Sequence, residues 1–173
     1  MKVLIMSDTH DNFDIVDKVA EVFKQEEASG FIHCGDITSA KMVQLFKDKG
    51  LTNGFFVQGN MDEKNLDEIK KAIEECGYSF VGLNSNTGLG DDVNNDYVLA
   101  YVTHGDNKNS LKEALDSEDF DFIFYGHTHK KSIEKSGKTI VVNVGALSKD
   151  TPKDSRGFFV LDTATKELKF IQV

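Results

Sequence analysis

A chain of 173 residues and 19.3 kDa has the length of one domain and can bury a core without disulfide or metal staples. Apolar residues make up 39% and charged residues 28%, with a single proline, which excludes a disordered or proline-rich chain. Lys+Arg number 20 against 29 Asp+Glu, a formal charge of −9, so there is no basic footprint for a phosphate backbone and stable nucleic-acid binding is not expected.

The apolar run at 2–6 predicts a buried strand; it is too short for a signal-peptide core, and the expected compartment is the cytoplasm. No apolar stretch approaches the roughly 20 residues of a membrane span. Phe13, Val16, Val19, Ala20 and Phe23 recur at helical spacing and predict a helix over 13–27, with Asn12 as its cap. A strand at 31–34, a helix near 40–47, a strand at 55–57 and a helix over 64–75 follow. Three strand–helix units in succession are the pattern of a parallel sheet with crossover helices.

The second half reads differently. Strands at 79–83 and 97–103 flank a polar loop, Asn84 to Asp96. A helix at 108–117 and a strand at 122–125 come next, then a hairpin of 131–135 and 138–143 about Ser136-Gly137, then a closing pair at 157–162 and 167–172. Such a tail predicts a second, more antiparallel sheet stacked on the first, an α/β sandwich. No repeat, linker or low-complexity run interrupts it, and residues 1–173 are read as one domain. Cys34 and Cys76 lack any C-x-x-C spacing and read as reduced thiols.

The informative residues sit where the predicted strands end. Ser7-Asp8-Thr9-His10 follows the first strand, His33-Cys34-Gly35-Asp36 the second and Gln58-Gly59-Asn60-Met61-Asp62 the third. Thr103-His104-Gly105-Asp106 and Gly126-His127-Thr128-His129 follow two strands of the second half. Carboxyl ends of strands are where open α/β sheets bind ligands. Taken singly, each block is weak: a Gly-Asn is usually a turn, and a His-x-His can be an exposed polar pair. Five in order, each ending a strand, make a joint signal for metal binding. The donors are oxygens and imidazoles, with no thiolate among the candidate ligands to select a soft metal.

Asp8-x-His10, Gly35-Asp36, Gly59-Asn60, His104 and Gly126-His127-x-His129 together resemble the five-block signature of the calcineurin-like metallophosphoesterases, over residues 7 to about 146. Chain length and Gly59-Asn60-Met61-Asp62 resemble the small bacterial and archaeal phosphodiesterase branch. The resemblance implies a four-layer α/β/β/α sandwich of two stacked mixed sheets flanked by helices. It also implies a dinuclear centre: one ion on Asp8, His10, Asp36 and His129, the other on Asp36, Asn60, His104 and His127. Manganese is the first expectation, with nickel, cobalt, iron or zinc as alternatives. The implied reaction is hydrolysis of a small phosphate diester by a hydroxide that bridges the two ions.

One position departs from the pattern. Met61 stands where protein-phosphatase relatives carry a histidine credited with protonating the leaving group, and Asp62 follows it. Asp62 is a general-acid candidate if burial raises its pKa; otherwise it is a solvated or supporting carboxylate. His33 reads as structural rather than as a ligand. Asn143-Val144-Gly145-Ala146 reads equally as a groove lining or a turn. Diesters are expected over monoesters because no Arg or Lys lies in the first three blocks, although Lys130 and Lys131 follow the last. A phosphomonoesterase or nucleotide pyrophosphatase on the same site is the rival enzyme. A binding scaffold like the retromer subunit of this fold is the rival from another class. A homo-oligomer stays open.

Overall fold

In the computed structural model, described over residues 1–90 and 97–173, the apolar runs form the expected strand–helix units. β1 (Lys2–Met6), α1 (Val16–Gln25), β2 (Gly30–His33), α2 (Ala40–Asp48), β3 (Gly54–Phe56), α3 (Leu66–Glu75) and β4 (Ser79–Phe80) follow in turn, their strands parallel. The second half supplies β5 (Asn84–Leu89), β6 (Val98–Thr103), α4 (Lys108–Ser117), β7 (Phe122–Tyr125), β8 (Ser132–Ser136) and β9 (Thr139–Asn143). The closing hairpin of β10 (Gly157–Asp162) and β11 (Glu167–Gln172) returns to the first sheet and pairs antiparallel with β1. The sheets are therefore six-stranded, β11-β10-β1-β2-β3-β4, and five-stranded, β5-β6-β7-β9-β8. Both are mixed.

Side-chain alternation explains the layers. Leu4 and Met6 of β1 join Phe31, Phe56, Phe158 and Val160 in a core against Val16, Val19, Met42, Phe46, Ile69 and Ile73 of the three helices. Val3 and Ile5, pointing the other way, join Ile32, Phe159 and Leu161 against Val98, Ala100, Val102, Phe122, Phe124 and Val142 of the second sheet. The outer face of that sheet, with Tyr101, Ile123 and Val141, packs on Ala114, Leu111 and Leu115 of α4. Helices, sheet, sheet and helix thus stack as four layers, as the resemblance implies. Phe31 centres the first core, with the rings of Phe46, Phe56 and Tyr78 at 5.5, 5.4 and 5.3 Å in edge-on contact. No helix among the described residues is long and apolar enough to cross a membrane.

Three local expectations are corrected. Asn84–Leu89 is strand rather than polar loop, paired with β6 from Asn84↔Thr103 to Leu89↔Val98. It is an edge strand whose side chains are exposed or half-exposed except Leu89, so polar residues suit it. The rest of the expected loop, 91–96, lies outside the described residues. The strand expected over 79–83 is cut to Ser79–Phe80. Asn12 caps no helix: a 3₁₀ turn at Phe13–Ile15 precedes α1, and the Asn12 side chain instead donates to the Leu147 carbonyl at 2.7 Å. That bond ties the loop after β1 to the segment after β9.

Candidate metal centre

β1, β2 and β3 run parallel in one sheet, and β6, β7 and β9 in the other. Stacking the two sheets brings their carboxyl-end loops together, and all seven expected ligand residues meet there. The Nε2 of His129 lies 3.1 Å from Asp8 Oδ1, that of His10 3.6 Å from the same oxygen, and the two nitrogens are 3.3 Å apart. On the other side, Asn60 Oδ1 lies 3.0 Å from His104 Nε2 and 3.1 Å from His127 Nδ1, and those nitrogens are 3.2 Å apart. One atom joins the two clusters. Asp36 Oδ2 is 3.6 Å from His10 Nε2 and 3.4 Å from His104 Nε2.

Spacings of this size arise when donors share one ion through bonds of roughly 2.0–2.1 Å. Asp8, His10 and His129 form one compact donor group, and Asp8, Asp36 and His104 another. A set of carboxylate and amide oxygens with imidazoles suits a divalent first-row metal, so the residues present fit the ions that the sequence pattern implies.

The loops are built to hold this geometry. Asp8, His10, Asp36, His127 and His129 all have φ between +41° and +64°, the left-handed region that L-residues seldom occupy. Strain of this kind persists only where its surroundings enforce it. Gly126 is one enforcer: a Cβ there would overlap Ser7 Oγ and Asp8 Oδ2, so only glycine lets the next backbone N–H, that of His127, donate to Asp8 Oδ2 at 3.0 Å. Gly59 is another, since a Cβ would collide with the Asp36 carboxyl. Met61 contributes through its backbone, whose N–H donates to Asp36 Oδ1 at 2.8 Å and leaves Oδ2 facing the histidines. The Nδ1 of His104 lies 2.9 Å from the Cys34 carbonyl, which fixes it as the N–H and presents Nε2 to the site.

The field here is negative. Asp8 and Asp36 are both buried. Burial pushes the Asp8 carboxyl up, but hydrogen bonds from His10 and His129 outweigh it and hold the group well below the ordinary carboxylate range. Burial pulls the His104 imidazole down, yet the Asp36 hydrogen bond and the charges of Asp8 and Asp36 lift it to about 9. His10 is raised mainly by its hydrogen bond to Asp8. The carboxylates that hold protons on these rings would hold a cation in their place.

Asp62 lies beside the centre, 2% exposed, but its carboxylate is occupied. Oδ2 accepts from the N–H groups of Asp36 at 3.0 Å and Gly59 at 2.8 Å, and Oδ1 from that of Thr38 at 2.8 Å. Burial raises its pKa while these N–H groups oppose the rise. Asp62 therefore clamps the loop after β2 to the loop after β3. His33 is a buried ring stacked on Phe56 at 5.7 Å, with Nε2 3.2 Å from Thr9 Oγ1, and burial drives its pKa down to about 3. It stays neutral and supports the Asp8–His10 loop. Asn143 is buried: its amide donates to the Gly126 carbonyl at 3.0 Å and Thr128 Oγ1 at 2.8 Å, and its oxygen accepts from Gly145 N. Sequence patterning singled out Asn143 without this role, because its partners lie 15 and 17 residues away.

Residues 1–166 match the family model of the calcineurin-like phosphoesterase superfamily domain. The chain is 31% identical over 147 residues to a phosphodiesterase of Methanocaldococcus jannaschii, covering 84% of this chain and 83% of that one. The solved structure of an archaeal phosphodiesterase matches with a TM-score of 0.82 at 27% identity, over 100% of both chains. Vps29 of Chaetomium thermophilum shares the fold, with a TM-score of 0.67 at 13% identity over 100% of this chain and 97% of its own. With the family model spanning every block of the site, the chain belongs to the calcineurin-like phosphoesterase superfamily.

Proposed function

We propose that this phosphoesterase is a phosphodiesterase working with two divalent ions, manganese foremost, on small phosphate diesters in the cytoplasm, with residues 1–173 as one domain. Asp8, His10, Asp36 and His129 would hold one ion, and Asp36, Asn60, His104 and His127 the other. The observation that carries this reading is the single Asp36 oxygen set between His10 and His104. Bound there, two ions would neutralise phosphoryl charge, align the ester and bring the pKa of a water toward neutrality.

The chain's own residues do the rest. Asp8 and Asp36 return only two negative charges, which leaves a loaded site positive despite the acidic chain. Asn60 is neutral, so its ion keeps more charge to present to a phosphate. Asp62 holds the backbone N–H of Asp36, the Met61 N–H fixes the Asp36 carboxyl, and Asn143 fixes the loop of His127 and His129. Diesters are favoured because a monoester dianion profits from additional cations. Among the described residues no lysine or arginine is hydrogen-bonded or ion-paired to the ligand set, and Lys131 lies over the Phe170 ring at 4.0 Å. The likeness to an archaeal phosphodiesterase supports the same choice.

Hydrolysis of bis-p-nitrophenyl phosphate and p-nitrophenyl phosphate by chelator-stripped protein, with and without Mn²⁺, tests this. Metal-restored cleavage that favours the diester is expected. Preference for the monoester would make the protein a phosphomonoesterase. No turnover with Mn²⁺, Ni²⁺, Co²⁺, Fe²⁺ or Zn²⁺ would overturn catalysis in favour of a binding scaffold.

A further inference from the structure

Five large apolar side chains are exposed among the described residues: Met1, Met61, Leu83, Tyr97 and Ile133. Two of them belong to segments that carry or adjoin the ligands Asn60 and His104. Met61 follows Asn60 directly, its N–H touches Asp36 Oδ1, and its side chain is 45% exposed. Leu83, 59% exposed, immediately precedes β5, whose first pair is Asn84↔Thr103. Leu83 lies in the turn before that strand, next to Thr103, the residue that precedes His104. Two hydrogen bonds fix this placement: the Leu83 carbonyl accepts from Thr103 Oγ1 at 3.4 Å, and the Gly82 carbonyl accepts from the N–H of Gln58, two residues before Asn60.

Asn60 and His104 are themselves in contact at 3.0 Å. Met61, on the first sheet's loop, follows Asn60 in the chain, and Leu83, at the second sheet's edge, is bonded through its carbonyl to the residue before His104. Water around a polar centre gains nothing from them, whereas an apolar group carried on phosphorus would bury them. A thioether packs well against an aromatic ring, and a leucine adds apolar contact for the same group.

Building on the phosphodiesterase reading above, we propose that Met61 and Leu83 form an apolar platform beside the Asn60–His104 side of the centre that selects diesters carrying an aromatic group. Both act on substrate binding and take no part in the chemistry. Inorganic phosphate reaches only the metals, while phenylphosphonate presents the same head with a ring attached, so competitive inhibition by the two separates the platform from the centre.

The experiment measures Ki for both anions against bis-p-nitrophenyl phosphate in Mn²⁺-loaded wild type, Met61→Ala, Leu83→Ala and Ile133→Ala, the last on the far strand β8. Phenylphosphonate should weaken about fivefold in each platform variant, the size expected for losing a few tens of Å² of apolar contact. Phosphate should stay within about twofold in all, and Ile133→Ala should change neither, since the loss is confined to ring contact. Equal inhibition constants for phenylphosphonate in all four proteins, or parallel weakening of both anions, would overturn the platform while leaving the phosphodiesterase standing. Wild-type protein that cleaves no ester with any of the ions would overturn both.

Discussion

Replacing Asp62 by asparagine separates a clamp from a proton donor. The carboxylate accepts three backbone N–H groups at 2.8–3.0 Å, two on Oδ2 and one on Oδ1. An amide of the same shape keeps one oxygen, so whichever way it turns, at least one N–H faces an NH₂. Hydrogen bonds to a charged acceptor are worth about 1.5–3 kcal/mol each, and a buried donor left unpaired costs about 1–3 kcal/mol. Asp62→Asn should therefore lose about 2–4 kcal/mol, and for a chain of this size that lowers Tm by about 5–15 °C. Calorimetry of the stripped protein reads this without metal. The clamp also carries Asp36, so Mn²⁺ affinity should fall with stability. If the clamp is the whole role of Asp62, the leaving group takes no proton from it, and p-nitrophenyl diesters should be cut far faster than alkyl diesters by wild type and variant alike. The reasoning is refuted by an Asp62→Asn protein that melts and binds Mn²⁺ like wild type but has lost its rate selectively on alkyl leaving groups. That is the behaviour of a missing general acid.

The remaining expectations probe the frame around the site. Asn143→Ala frees the loop of His127 and His129 and should weaken Mn²⁺ binding about 10–100-fold, as loss of an outer support does; isothermal titration that returns the wild-type affinity would contradict the brace. Phe31→Ala empties the centre of three edge-on rings and should cost about 3–5 kcal/mol in urea denaturation. A change below about 1 kcal/mol would mean that this core collapses to fill the space. The hydrogen bonds of Lys169 and Lys2 to Glu26 depress its carboxyl to about 2. A depressed carboxylate contributes stability above its unfolded pKa and loses it as pH falls toward the folded one. Glu26→Gln should therefore destabilise by about 1 kcal/mol at pH 7, a surface network being screened, with the gap closing between about pH 4.5 and 2. A gap independent of pH would assign the effect to packing.

Much of the fold can be read in the sequence because two periodicities alternate along it. Buried parallel strands such as Val3–Met6 and Phe122–Tyr125 are short apolar runs, and each helix shows its stripe. β5 escapes this reading because its side chains meet solvent or lie half-covered along an edge, so Asn84-Ser85-Asn86-Thr87 carries no apolar signal. Asn12 misleads as a cap because its true partner, the Leu147 carbonyl, lies 135 residues away. The site is legible for a different reason: ligand chemistry restricts residue type at each strand end. Composition does not reveal how the ligands are held, namely the left-handed backbone at five of them, the Asp62 clamp and the Met61 N–H. Those depend on contacts between loops of distant blocks, which no local pattern encodes. Leu83 is an ordinary residue until the hydrogen bond of its carbonyl to Thr103 sets it beside the His104 block.

The central claim is that Asp36 is shared by two ions. Equilibrium dialysis of chelator-stripped protein against Mn²⁺, with metal counted per chain for wild type and Asp36→Asn, tests it most directly. The shared carboxylate predicts two ions per wild-type chain and the loss of tight binding at both sites in the variant. A wild-type chain that binds one ion or none, or an Asp36→Asn chain that still holds two at wild-type affinity, would contradict it.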